Sequence, residues 1–136
     1  MSGVPITALP VDAPPIAALP IAALPIAAPP IVHRALARFR AWLVARYGPR
    51  LRELVLYGSR ARGDAHEESD IDVLVVIDDF DVMERGALFE AAYDAGVDGD
   101  DYISVSPFVV STAQATDMRA RERRIFREIA RDGVPL

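Results

Sequence analysis

Gly58 and Ser59 follow an apolar run (Leu54, Val55, Leu56, Tyr57), and after ten further residues come two aspartates one residue apart, Asp70 and Asp72. The aspartates open a second apolar run over residues 73–77. On a strand, positions i and i+2 point to the same face, so the two carboxylates project side by side. That arrangement suits a shared divalent cation, because Mg²⁺ typically takes one or two carboxylates together with substrate phosphates. Gly58 lets the backbone come close to a phosphate, and the Ser59 hydroxyl and the amides after it can donate to one. Carboxylates at the mouth of an apolar strand are costly unless something compensates them, and a cation does so. Singly, each piece is common: Gly-Ser pairs fill many turns, and Asp-x-Asp at a strand start serves elsewhere as a charged gatekeeper. Taken together they point to metal-dependent chemistry on a nucleotide.

The elements around these residues follow from periodicity. Apolar residues at 32, 36, 39, 43 and 47 have helical spacing, and Gly48 and Pro49 end that helix. Residues 52–57 read as a strand, 58–63 as a tight turn or one helical turn closed by Gly63, and 70–77 as a strand buried on both faces. A helix over 82–95 follows, then an acidic loop at 98–101. Residues 102–110 read as a strand that Pro107 breaks or places at an edge. Ser111 with Gln114 predicts a capping box that starts one long arginine-rich helix to about residue 131. The order α-β-β-α-β-α predicts an α/β (α+β) fold, a small mixed sheet of three or more strands flanked by helices.

Composition limits what else the chain can be. Residues 1–30 repeat a proline-punctuated apolar unit of five residues and carry one charge, Asp12, so they read as an extended tail ahead of a domain over 31–136. The prolines exclude a membrane helix there, and the basic flank of a signal peptide is absent, so the cytoplasm is the default location. With no cysteine, disulfides, thiol nucleophiles and thiolate metal sites are excluded, and two histidines make a histidine zinc site a poor fit. The net charge of −5 is segregated: residues 64–101 hold fourteen acids and one base, Arg85. All fifteen basic residues are arginine. The acidic middle argues against broad nucleic-acid binding, and the arginines at 119, 121, 123, 124, 127 and 131 read as a solvated helix face. Trp42, Phe39, Leu43 and Tyr57 read as packing residues, and His33 and His66 as surface side chains. Of Arg60 and Arg62, one is expected to pair with Asp64 or another acid of its loop, and Arg60 is a candidate for phosphate.

Residues 54–77 resemble the core signature of the DNA-polymerase-β-like nucleotidyltransferase superfamily, in which Gly-Ser is followed after ten residues by Asp-x-Asp. The wording Gly-Ser-Arg-Ala-Arg-Gly-Asp and Ser-Asp-Ile-Asp, with the short length, is similar to its minimal branch. The resemblance implies that Asp70 and Asp72 hold two Mg²⁺ ions, that Gly58, Ser59 and Arg60 hold a nucleoside triphosphate such as ATP, and that a nucleotidyl group passes to an acceptor hydroxyl as pyrophosphate leaves. It also implies a third carboxylate on the next strand. By position that strand reads Tyr-Ile-Ser-Val-Ser, with Ser104 in the third slot and Asp101, or failing it Asp100, the acid able to reach in from the strand's start.

Minimal members of the family it resembles are often antitoxins that adenylylate a tyrosine of a HEPN-type RNase toxin, so the resemblance implies a partner protein as acceptor. The alternatives are a catalytically silent nucleotide-binding module that acts by contact, which the missing acid favours, and transfer to a small molecule of aminoglycoside type.

Overall fold

The computed structural model describes Pro20, Ile21, Leu24 and residues 26–136. The helical spacing becomes α1 (Pro30–Tyr47), which buries Val32, Ala35, Leu36, Phe39, Leu43 and Tyr47 along one stripe. It begins two residues before the periodic pattern, with proline in its first turn, where a missing N–H costs nothing. The chain turns at Gly48 (φ 52°) into β1 (Leu51–Tyr57).

Gly58 then leads into a single helical turn, α2 (Ser59–Arg62), closed by Gly63 in the left-handed conformation. β2 (Ile71–Ile77) and α3 (Arg85–Gly96) follow. The acidic segment expected to be a loop forms a hairpin, β3 (Val97–Asp98) against β4 (Asp101–Tyr102). Consequently the next sheet strand, β5 (Val105–Ser111), starts later than the alternation implied.

Two helices, α4 (Thr112–Ala120) and α5 (Arg124–Asp132), replace the single helix expected, and β6 (Val134–Pro135) completes the chain. The Ser111 and Gln114 capping box starts α4 as expected. α4 ends in paired backbone bonds, Glu122 N–H to Arg119 and Arg123 N–H to Met118, with Glu122 at φ 50°. This is the Schellman termination that glycine usually provides.

The main sheet runs β5-β2-β1-β6. β1 is antiparallel to β2 and to β6, while β2 and β5 are parallel, joined through α3. Pro107 lies in β5, an edge strand, where a missing donor is tolerated. Side-chain alternation splits the core. Leu54, Leu56, Ile71, Val73, Val75, Ile77 and Val109 face α1 and α3, whereas Val55, Leu74, Val76 and Val110 pack with Ala115, Phe126 and Ile129 of α4 and α5.

Of the stretch expected to be a tail, residues 1–19, 22, 23 and 25 lie outside the described residues. Ile21 and Ile26, 3% and 8% exposed, are buried in the core on the α1 side. Among the described residues no helix is long and apolar enough to cross a membrane.

Candidate functional site

The site is built at one end of the sheet, where β1 ends and β2 begins. Their register sets Tyr57 opposite Asp72, and the parallel register sets Asp72 beside Ser106. By alternation Tyr57 and Asp72 share the face of Val55 and Leu74, which α5 covers. Asp70 lies one residue before β2 and is exposed, while Asp72 is half-buried within it.

Gly58 lies under the Asp72 carboxylate. Its backbone sits at φ 75°, ψ −158°, a region open essentially to glycine alone. A Cβ at this position would overlap Asp72 Oδ2 and lie 3.3 Å from its Cγ. The carbonyl of Gly58 accepts from the N–H groups of Ala61 (3.1 Å) and Arg62 (3.0 Å), which folds Ser59 and the residues after it into the α2 turn beside the carboxylates.

The ten residues between turn and aspartates are held by Arg60. Its guanidinium is turned inward, 6% exposed, and Nη2 donates to the carbonyls of Ser69 (3.0 Å) and Glu67 (3.4 Å). So placed, Arg60 clamps the loop that delivers Asp70. Its Nε is buried with no hydrogen-bond partner among the described residues. The loop adds its own bonds, with the His66 N–H donating to Ser69 Oγ (2.9 Å) and the Glu68 N–H to His66 Nδ1 (3.3 Å). Arg62 is the outward member of the pair, donating to Asp64 Oδ2 at 3.2 Å.

Charge is concentrated here. Burial first, and then the neighbouring Asp70 carboxylate, push the Asp72 carboxyl above its ordinary range; Arg62 opposes the rise and Glu128 of α5 adds to it. The Tyr57 hydroxyl is pushed up to about 12 by burial, then by the charges of Asp72 and Glu128, so it stays a neutral donor. A cation beside Asp70 and Asp72 would relieve this repulsion, and two carboxylates on one face with phosphates from a substrate are a donor set that Mg²⁺ accepts. Among the described residues no group of three His, Cys, Asp or Glu side chains is gathered to hold a metal ion.

The third-carboxylate position holds no acid. Ser106 is the in-register neighbour of Asp72, and the Ser104 carbonyl accepts from the Ile71 N–H at 2.8 Å, which sets Ser104 beside Asp70. Asp101 lies on the β3–β4 hairpin, where its charge acts on Arg34 of α1, and it is not among the charges that act on Asp72. The structure thus brings Gly58, Ser59, Asp70 and Asp72 together and leaves Asp101 apart. Glu128 escaped sequence reading because its place depends on how α5 packs; its one signal was its position between the apolar pair Ile125 and Ile129.

The family model for the nucleotidyltransferase domain matches residues 36–126. A protein of Methanocaldococcus jannaschii, named provisionally as a protein adenylyltransferase, is 49% identical over 51 residues, 37% of this chain and 51% of that relative. The chain therefore matches about half the length of the curated relative. A crystal structure from Sulfolobus solfataricus, provisionally a nucleotidyltransferase, aligns over 80% of this chain and 87% of its own with 22% identity and a TM-score of 0.43.

Proposed function

The chain belongs to the nucleotidyltransferase domain family, and on that premise we propose that it transfers AMP from ATP to a hydroxyl of a partner protein. The observation that carries this reading is the seating of the Asp72 carboxylate on the bare Cα of Gly58, with Asp70 on the same side. This supports a reading in which the backbone at Gly58 and Ser59 and the two carboxylates act on one substrate.

In this reading the Ser59 hydroxyl and the backbone after Gly58 orient the triphosphate. Asp70 and Asp72 hold divalent cations, two Mg²⁺ ions by family likeness, which when bound supply stabilisation of the attacking and leaving oxygens in an in-line displacement. Arg62, outward and close enough to act on the Asp72 carboxyl, offsets charge developing on the pyrophosphate.

AMP as the transferred group is supported by the name of the Methanocaldococcus relative. Asp70, Arg62 and Ser106 are exposed, which suits an acceptor presented by a second macromolecule. A HEPN-type RNase toxin with an accessible tyrosine is the partner class to test first.

A second reading, a silent nucleotide-binding module that inhibits its partner by contact, is favoured by the serines at 104 and 106. Incubation with Mg²⁺, ATP labelled in the AMP moiety and the partner separates the two. Label on the partner that is lost in Asp70→Asn and Asp72→Asn supports transfer. Partner inhibition that survives both substitutions, with no label, supports the module.

A further inference from the structure

We propose that the exposed aromatic row Phe89, Tyr93 and Tyr102 is the docking surface for the acceptor protein, and that it takes a segment carrying arginine among apolar side chains. The proposal rests on the nucleotidyl-transfer reading above and names where, and by what chemistry, the acceptor is held.

Exposed apolar surface is not scattered over this molecule. Among the described residues every exposed large hydrophobic side chain lies between Val82 and Tyr102, on α3, the turn before it and the β3–β4 hairpin. Phe89 and Tyr93 are four residues apart, so they share one side of α3. The Tyr93 ring meets the Tyr102 ring of β4, with centroids 5.1 Å apart, which extends the row from helix to hairpin. Although they touch, Tyr93 and Tyr102 remain 58% and 51% exposed. A contiguous apolar patch with a polar rim marks an interaction site, unlike apolar residues exposed singly.

The row lies on the flank of α3 turned away from α1. Glu90 and Asp94 line a groove with Arg38 and Arg46 of α1, whereas Arg85, one turn before Phe89, lines a hollow with Phe108 and Val110 of β5. Topology then brings the row to the site. β2 and β5 are parallel, so α3 runs back along them and delivers the hairpin to the end of the sheet where β2 begins. Two residues after Tyr102, the Ser104 carbonyl accepts from the N–H of Ile71, which lies between Asp70 and Asp72. Two residues of chain span at most about 7 Å. A protein held on the row therefore stands at the mouth of the site, with only the edge strand β5 between.

The charge around the row selects the partner. From Val82 to Tyr102 there are six acids and one base, Arg85. Glu84 is paired with Arg46, and Asp98 with Arg34 and Arg38. Glu90, Asp94, Asp100 and Asp101 are exposed and make no ion pair among the described residues, although the Asp101 charge also acts on Arg34. A second copy of this face would set acid against acid, whereas a cationic segment meets complementary charge. Arginine suits the row because its flat guanidinium stacks on aromatic faces. The surface already makes that contact once, with the Arg85 guanidinium 5.2 Å from the Phe89 ring centroid.

The test uses the full chain and a fluorescent peptide that alternates arginine with leucine around one tyrosine, beside a counterpart with glutamate for arginine. Anisotropy reads binding, and Mg²⁺ with ATP labelled in the AMP moiety reads transfer to the tyrosine. The arginine peptide is expected to bind the parent and the glutamate peptide is not. Tyr93→Ser with Tyr102→Ser should weaken that binding about tenfold, with ATP affinity and melting temperature at the parent values. Asp94→Asn with Asp100→Asn should weaken it as well and flatten its salt dependence. In transfer, both pairs should raise KM for the peptide and leave kcat unchanged. Equal binding of the two peptides, or parent-strength binding by the tyrosine pair, overturns the assignment. A parent that sediments as a dimer, and that the tyrosine pair dissociates, gives the face to a second copy and overturns it too. Label separates the two levels. If the arginine peptide binds through the row and takes no label, the nucleotidyl-transfer reading fails and the acceptor role with it; if parent and variants label it with equal KM, only the docking assignment fails.

Discussion

The Cα of Gly58 supports the Asp72 carboxylate, and no side chain can be added between them without moving one or the other. The relationship follows from register: Tyr57 pairs with Asp72, so the residue after Tyr57 must pass beneath that carboxylate as β1 turns into α2. Gly58→Ala combines a backbone conformation foreign to L-residues with an overlap on Oδ2. It should destabilise the domain by about 2–3 kcal/mol and abolish Mg²⁺-dependent ATP binding. Urea denaturation and equilibrium binding of labelled ATP check the two effects separately.

Asp72 itself trades stability for charge. Its ionised form is disfavoured by burial and by Asp70 at its side. Replacing it with a neutral side chain of the same shape removes that repulsion. Asp72→Asn should therefore melt a few degrees higher than the parent at neutral pH without cation, while losing ATP binding. A calorimetric scan with and without Mg²⁺ and ATP is the measurement: the parent gains from the ligands, and the variant does not.

Where order was legible in the chain, one physical rule governed alone. The apolar spacing of α1, the strand runs ending at Tyr57 and Ile77, and the Ser111 cap are local signals that tertiary structure did not override. Arg60 and Arg62 lie two apart on one helical turn, so composition could not say which points inward; packing sent Arg60 in to the Ser69 carbonyl. The start of β5 was obscured because Tyr102 and Val105 belong to one alternating pattern but to different sheets.

The break between α4 and α5 was hidden for another reason. Its left-handed position is occupied by Glu122 (φ 50°), where glycine would have announced the stop. Such a residue carries about 1–2 kcal/mol of steric cost. Glu122→Gly should recover part of it, raising the denaturation midpoint by up to about 1 kcal/mol equivalent. Equal m-values for parent and variant would show that the gain lies in the folded turn.

Arg119 was expected on a solvated face, but it reaches back to Glu53 in the middle of β1. Nη1 and Nη2 donate to the two carboxylate oxygens at 2.7 and 2.6 Å, and the guanidinium lies over the Phe126 ring at 4.7 Å. The Glu53 side chain is 5% exposed, so Arg119→Met removes two charge-assisted hydrogen bonds from a buried carboxylate. Arg119→Met should cost about 3 kcal/mol, whereas Glu53→Leu with Arg119→Met, which replaces both by apolar groups, should return most of it. A double-mutant cycle by chemical denaturation measures the coupling.

Asp98 ties the β3–β4 hairpin to α1. Arg34 donates to it at 3.1 and 2.7 Å, and Arg38 at 2.7 Å. The hydrogen bonds from Arg34, then from Arg38, hold its carboxyl down at about 2. In the unfolded chain an aspartate titrates near about 3.9. The folded state therefore binds this proton more weakly, and the stabilisation is present above about pH 4 and lost as the pH falls toward 2. Asp98→Asn should remove that acid-dependent component, so that the stability gap between parent and variant narrows from pH 5 to pH 2. Denaturation midpoints at pH 5, 3 and 2 test it, and salt at pH 5 should shrink the same gap by screening these surface-side pairs. A gap that stays constant across the series would assign the loss in Asp98→Asn to packing of the hairpin rather than to its charge.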